Sequence, residues 1–75
     1  MKIWIVARQF GEQLWKRSSD LALKELTGLI KAHPDSKFIF FSMDVPEEVQ
    51  NEHGRQTDAV ITKWLFDGQF DPFES

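Results

Sequence analysis

The chain has 75 residues, including three tryptophans and seven phenylalanines but no cysteine, and carries a formal net charge of −3. One domain of this size buries only about 60 to 65% of the surface its unfolded chain exposes, and the lack of cysteine excludes a disulfide framework and a thiolate zinc site. Charge is uneven: residues 1–31 hold six cations against three carboxylates and residues 32–75 hold three against nine, which argues against ordinary nucleic-acid binding, since that needs clustered Lys and Arg to displace counterions from phosphates.

Lys2 to Arg8 reads as a strand, because Ile3, Trp4, Ile5 and Val6 are β-formers in an unbroken apolar run with a charge at each end. Ile3, Ile5 and Ala7 fall on one face, Trp4 and Val6 on the other, and Gly11 ends the strand through a turn. The apolar run is too short for a signal-peptide core, and nothing in the chain approaches the roughly 18 apolar residues of a membrane span. Together with the missing cysteines, this fits a soluble protein in a reducing, cytoplasmic setting.

From Glu12 to His33 the spacing predicts a helix. Trp15, Ala22, Leu23, Leu26, Leu29 and Ile30 share one arc, with Lys16, Asp20, Lys24, Thr27 and Lys31 opposite. Ser18, Ser19 and Asp20 are each good N-caps for a shorter helix beginning near Leu21. At the other end Pro34 disfavours helical geometry at His33. A helix unbroken from Glu12 also places Leu14, Leu21 and Gly28 at heptad spacing on a second ridge, which reads as a homodimer face.

Phe38-Ile39-Phe40-Phe41, inside Lys37 to Met43, reads as the central strand, since four consecutive large apolar residues leave no face to turn toward water. The order strand, helix, strand over residues 2–43 then predicts two parallel neighbours joined by a right-handed crossover. After Asp44-Val45, Pro46 suits the first position of a short acidic helix running to His53. Thr57 to Asp67 carries Val60, Ile61, Trp64 and Leu65 at helical spacing, with Thr57 or Asp58 as cap and Gly68 as stop. A third strand is the alternative there, because Val60, Ile61, Thr62, Trp64 and Phe66 all favour sheet. The expected fold is therefore α+β, or small α/β: a strand-helix-strand core in one domain over residues 1–68, completed by a C-terminal helix, with an acidic-aromatic tail over 69–75.

No catalytic motif stands out. The loop Arg8 to Gln13 lies where phosphate-binding loops occur, but it has one glycine and no Gly-Lys-Ser/Thr pattern, so a plain turn is the simpler reading. A small enzyme or nucleotide-binding subunit using that strand-helix loop with Arg8 is kept as an alternative function. Glu47, Glu48, Glu52 and His53 do not share one face of a short helix, and a solvated acidic face is preferred to a metal site. No cofactor or metal is expected. The two histidines have no Ser or Cys nucleophile beside them, which argues against a hydrolytic triad.

The tail from Phe66 to Phe73 alternates aromatics with acids. Its Asp71-Pro72-Phe73 resembles ligand peptides read by endocytic adaptor appendages, and the acidic Pro-Phe ending is similar to the tails of bacterial single-stranded-DNA-binding proteins, except that Glu74-Ser75 follow the phenylalanine. The simpler expectation is that Phe70 and Phe73 fold back onto the sheet. The favoured function is a non-enzymatic protein-binding module, an inhibitor or modulator of a larger assembly of the kind carried by phages and mobile elements. Its partner-binding residues would be Glu47, Glu48, Glu52, Trp64, Asp67, Phe70, Asp71 and Phe73, contacting a protein with a basic nucleic-acid-binding groove rather than nucleic acid or membrane directly. A second alternative is a structural component that folds as an oligomer.

Overall fold

The computed structural model describes residues 1–67 and 72–73 of the chain. Among these residues there are three strands and two helices: β1 (Lys2–Arg8), β2 (Gln13–Lys16), α1 (Ser19–Ala32), β3 (Phe38–Asp44) and α2 (Asp58–Asp67). The expected α+β class is found, with a C-terminal helix and not a third strand over residues 58–67.

The sheet order is β2-β1-β3 and both pairings are antiparallel. This corrects the expected parallel crossover, and the cause is β2. Residues 13–16 do not join the helix but return beside β1, with Ala7 opposite Gln13 and Trp4 opposite Lys16. That extra reversal means α1 starts at the opposite end of the sheet, so β3 comes back antiparallel, with Lys2 opposite Asp44 and Arg8 opposite Phe38. A consequence is that β1, not β3, is the central strand. Ile3, Ile5, Val6 and Ala7 are all buried, whereas Phe38, Ile39, Phe40 and Phe41 are half-buried on an edge.

Alternation along the strands sorts the side chains. Ile3, Ile5, Trp15, Phe41 and Met43 share one face, where they form the core cluster with Val45, Val49, Ile61, Trp64 and Leu65. Val6, Leu14, Lys16 and Phe40 share the other. Two polar links mark which helix covers which face. Trp15 Nε1 donates to Thr62 Oγ1 at 2.9 Å, tying α2 to the first face, and Lys16 Nζ lies 3.6 Å from a Glu25 carboxylate oxygen, tying α1 to the second.

Ser18 is the N-cap of α1: its backbone is extended and its hydroxyl accepts from the Leu21 N–H at 3.3 Å. The helix buries Ala22 fully and Leu26, Leu29 and His33 in part, a row at i, i+4, i+7 and i+11. Leu23 and Ile30, expected in the core stripe, are instead 48% and 45% exposed. The stripe is narrower than expected because a three-stranded sheet is not wide enough to cover a full 120° of helix surface. Thr57 caps α2, its hydroxyl accepting from the Val60 N–H at 3.3 Å.

Candidate protein-binding surface

Residues 45–56 leave the edge of the sheet and cross to α2. Val45 is buried, and its N–H donates to the Met1 carbonyl at 2.7 Å, extending the β1–β3 ladder by one residue. Pro46 then starts a turn, not the expected short helix: its carbonyl accepts from the Val49 N–H at 3.0 Å and from Gln56 Nε2 at 2.9 Å. The helix fails because Asn51 offers the backbone a better local partner. Its Oδ1 accepts from the N–H groups of both His53 and Arg55 at 2.9 Å. Its own N–H reaches the Arg55 carbonyl at 2.9 Å, with Gly54 in the left-handed region at φ 73°.

This loop is pinned from within by Val45 and Val49, which share the core cluster with Trp64 and Leu65. The pinning leaves Glu47, Glu48 and Glu52 exposed, with Asp44 exposed at the end of β3 and Asp67 at the end of α2. Glu52 lies 3.5 Å from His53 Nε2, both well exposed. No Lys or Arg among the described residues pairs with any of these five carboxylates. The paired carboxylates lie elsewhere: Glu12 with Arg8, Glu25 with Lys16, and Asp58 with Arg17. Of the aromatics expected to anchor a partner, Trp64 is half-buried against the core and Phe73 is half-buried. Phe70 and Asp71 lie outside the described residues. Phe66, on α2, is 46% exposed.

The first turn is a hairpin and not a strand-helix loop, which removes the geometry on which the nucleotide-binding alternative rested. A phosphate site needs free amides at a helix start. Here the Arg8 N–H donates to the Glu12 carbonyl at 2.8 Å and the Gly11 N–H to the Arg8 carbonyl at 3.0 Å, and β2 follows. The Arg8 guanidinium is already engaged, with Nε 2.6 Å from Glu12 Oε2 and Nη2 3.3 Å from Oε1. This fork of hydrogen bonds holds the Glu12 carboxyl at a pKa of about 2 and raises that of Arg8. The homodimer ridge is likewise undone, because Leu14 lies on β2 facing α1 while Leu21 and Gly28 remain exposed on α1. Among the described residues no group of three or more His, Asp or Glu side chains is placed to hold a metal ion.

Two features escaped the sequence reading. Phe10, at the hairpin tip, adopts φ 61° and is 96% exposed. The pattern that signals it is a pair of β-forming runs separated by a short Gly-containing loop. The second is an open groove of about 370 Å³ beside β2, lined by Trp15, Lys16, Arg17, Leu21, Asp58 and Thr62. Arg17 spans it, with Nε 3.1 Å from Asp58 Oδ1, Nη2 3.2 Å from the Gln56 carbonyl, and its guanidinium 5.4 Å from the Trp15 ring centre. Arg17 is thereby committed to tying β2 to the start of α2, and its placement depends on a hairpin that local periodicity hides. Comparison with protein-family models, curated proteins and solved structures found no match for this chain.

Proposed function

We propose that this chain is a non-enzymatic protein-binding module that modulates a larger assembly through its acidic 44–52 segment and the neighbouring end of α2. The observation that carries this reading is the separation of charge: among the described residues Asp44, Glu47, Glu48 and Glu52 are exposed without a Lys or Arg partner, while the cation-paired carboxylates lie on other elements. Uncompensated carboxylates on a pinned loop attract a basic partner and hold a defined position when it arrives. Trp64, Asp67 and the aromatic tail with Phe70, Asp71 and Phe73 supply the remaining contacts in this proposal, with aromatics slowing dissociation once the encounter is made. A basic groove that otherwise holds nucleic acid is the partner chemistry that fits.

The test compares immobilised wild type with the triple variant Glu47→Lys, Glu48→Lys, Glu52→Lys in capture from the source cell. A partner retained by wild type at low salt, released by added DNA or RNA and not retained by the triple variant supports the reading. Equal retention by both proteins at low salt overturns it and leaves the carboxylates as a solubility device.

A further inference from the structure

The turn between β1 and β2 is built so that one side chain is held in place. The Gly11 N–H donates to the Arg8 carbonyl at 3.0 Å and closes a turn in which Phe10 is the third residue. A positive φ at that position usually falls to glycine, yet Phe10 takes it at φ 61° although a glycine follows directly. Gly11 serves another purpose, leaving room for the Arg8 guanidinium, which reaches Glu12 Oε2 at 2.6 Å and Oε1 at 3.3 Å. The loop is braced further by the Arg8 N–H to Glu12 carbonyl bond at 2.8 Å and, on the side of β3, by the Gln9 N–H to Lys37 carbonyl bond at 2.9 Å. Its outcome is a phenyl ring aimed away from the fold. Phe10 is 96% exposed, whereas the other exposed large apolar side chains among the described residues are only 39 to 54% exposed. A left-handed backbone and a fully hydrated ring are both unfavourable, and with so little of the ring covered the fold offsets neither.

We propose that Phe10 is the anchor of a second protein-binding site, inserting its ring into an apolar pocket of a partner protein. Two observations select a protein pocket as the occupant. The first is the bracing: a ring whose position is fixed before contact loses little entropy on entering a cavity of matching shape, an advantage that a fluid lipid surface does not reward. The second is charge. Arg8 and Glu12 cancel at the tip, and Lys37 and Asp35, exposed on the adjoining turn, cancel as well. A lipid surface holds a single apolar side chain only weakly without added cationic charge, whereas an apolar pocket with an uncharged rim suits a neutral tip. This partner chemistry differs from that of the acidic segment, and so does the place. Along the β1–β3 ladder Arg8 stands opposite Phe38 and Lys2 opposite Asp44, so the hairpin tip and the 44–52 segment lie at opposite ends of the sheet and can be occupied together. The inference therefore stands on the hairpin and is independent of the acidic surface.

The experiment places the photoreactive residue p-benzoylphenylalanine at position 10 of the full chain, and in a control at Leu23 on α1, and illuminates each in the source cell. A protein joined from position 10 and not from position 23 is then purified, and its binding to the unmodified chain is measured. Phe10→Ala is expected to weaken that binding by at least about 30-fold, chiefly through faster dissociation. Phe10→Asn guards against a trivial loss of structure, because asparagine tolerates the left-handed backbone; it is expected to abolish binding while the urea midpoint stays at or above that of wild type. The triple variant Glu47→Lys, Glu48→Lys, Glu52→Lys is expected to bind this protein as wild type does, which separates the result from that for the acidic segment. The proposal is overturned if position 10 joins no protein that position 23 does not, or if the protein it joins binds Phe10→Ala and Phe10→Asn as tightly as wild type. It is also overturned if the chain co-sediments with vesicles of phosphatidylcholine and phosphatidylglycerol and Phe10→Asn does not, since lipid is then the occupant.

Discussion

Phe10 holds a backbone conformation that side chains with a Cβ rarely adopt, and it does so while almost fully exposed. Nothing in its packing offsets the strain, so Phe10→Asn is expected to stabilise the fold by about 0.5 to 1 kcal/mol, read as a higher midpoint in urea. Gly11 matters for a different reason: the Arg8 guanidinium, at the end of a flexible side chain, lies where its Cβ would be. Gly11→Ala should push that side chain aside and free Glu12. The pH consequence follows from the sign of the shift. Glu12 falls from an ordinary 4.5 to about 2 in the fold, so the folded state binds this proton less readily than the unfolded one. Its contribution is present above pH 4.5 and is lost as pH falls toward 2. A carboxyl titration followed by NMR is expected to place the Glu12 midpoint near that lower value, and to return it to the ordinary range in both Arg8→Gln and Gly11→Ala.

At the scale of elements, short strands and helices here are held by single polar contacts as much as by apolar surface. β2 is four residues long, and Trp15 connects it to α2 through one hydrogen bond from the indole to Thr62. Trp15→Phe keeps most of the ring and removes the donor; a loss of about 1 kcal/mol is expected, and Thr62→Val should cost little more when added to it, because the two changes break the same bond. Ser18→Ala removes the only side-chain cap seen at the start of α1 among the described residues. It is expected to lower stability by about 1 kcal/mol, which in a chain of this length moves the thermal midpoint by roughly 4 to 8 °C. Leu21, 54% exposed, provides the contrast: Leu21→Glu should change stability by no more than about 0.5 kcal/mol.

For the whole molecule, the two faces of the sheet are unequal. Among the described residues one is covered by α1, while the other is covered by α2 and the 45–49 segment, meeting in the cluster of Ile3, Ile5, Val45, Ile61 and Leu65. Ile61 has no exposed surface, and Ile61→Ala is expected to cost about 2 to 5 kcal/mol. Against a typical total of about 5 to 15 kcal/mol, that change should broaden or abolish the cooperative transition seen by circular dichroism and detach the acidic loop with α2. The same unity links stability to binding. A partner on the 44–52 segment adds burial to a domain with little of its own, so it should raise the thermal midpoint in a concentration-dependent way.

Elements whose signals are local could be read directly from the residues. β1 follows from an unbroken β-forming run, the end of α1 from Pro34, and α2 from Thr57 and the 60, 61, 64, 65 spacing, all of which depend on neighbours within a few positions. β2 could not be read so easily, because over Gln13 to Lys16 the spacing of Leu14 and Trp15 suits a helix face as well as a short strand, and only pairing with β1 selects the strand. Misplacing those four residues changed everything that depends on counting reversals: the sense of β3, its place at the edge, the dimer ridge through Leu14, and the supposed strand-helix loop at Arg8. The acidic residues of 47–52 were visible as candidates, but that they project from a turn pinned by Asn51, Val45 and Val49 is a property of contacts made across the fold. Strand direction and edge position carry no local pattern, since any apolar strand satisfies either. They are set by how many times the chain turns back before it arrives.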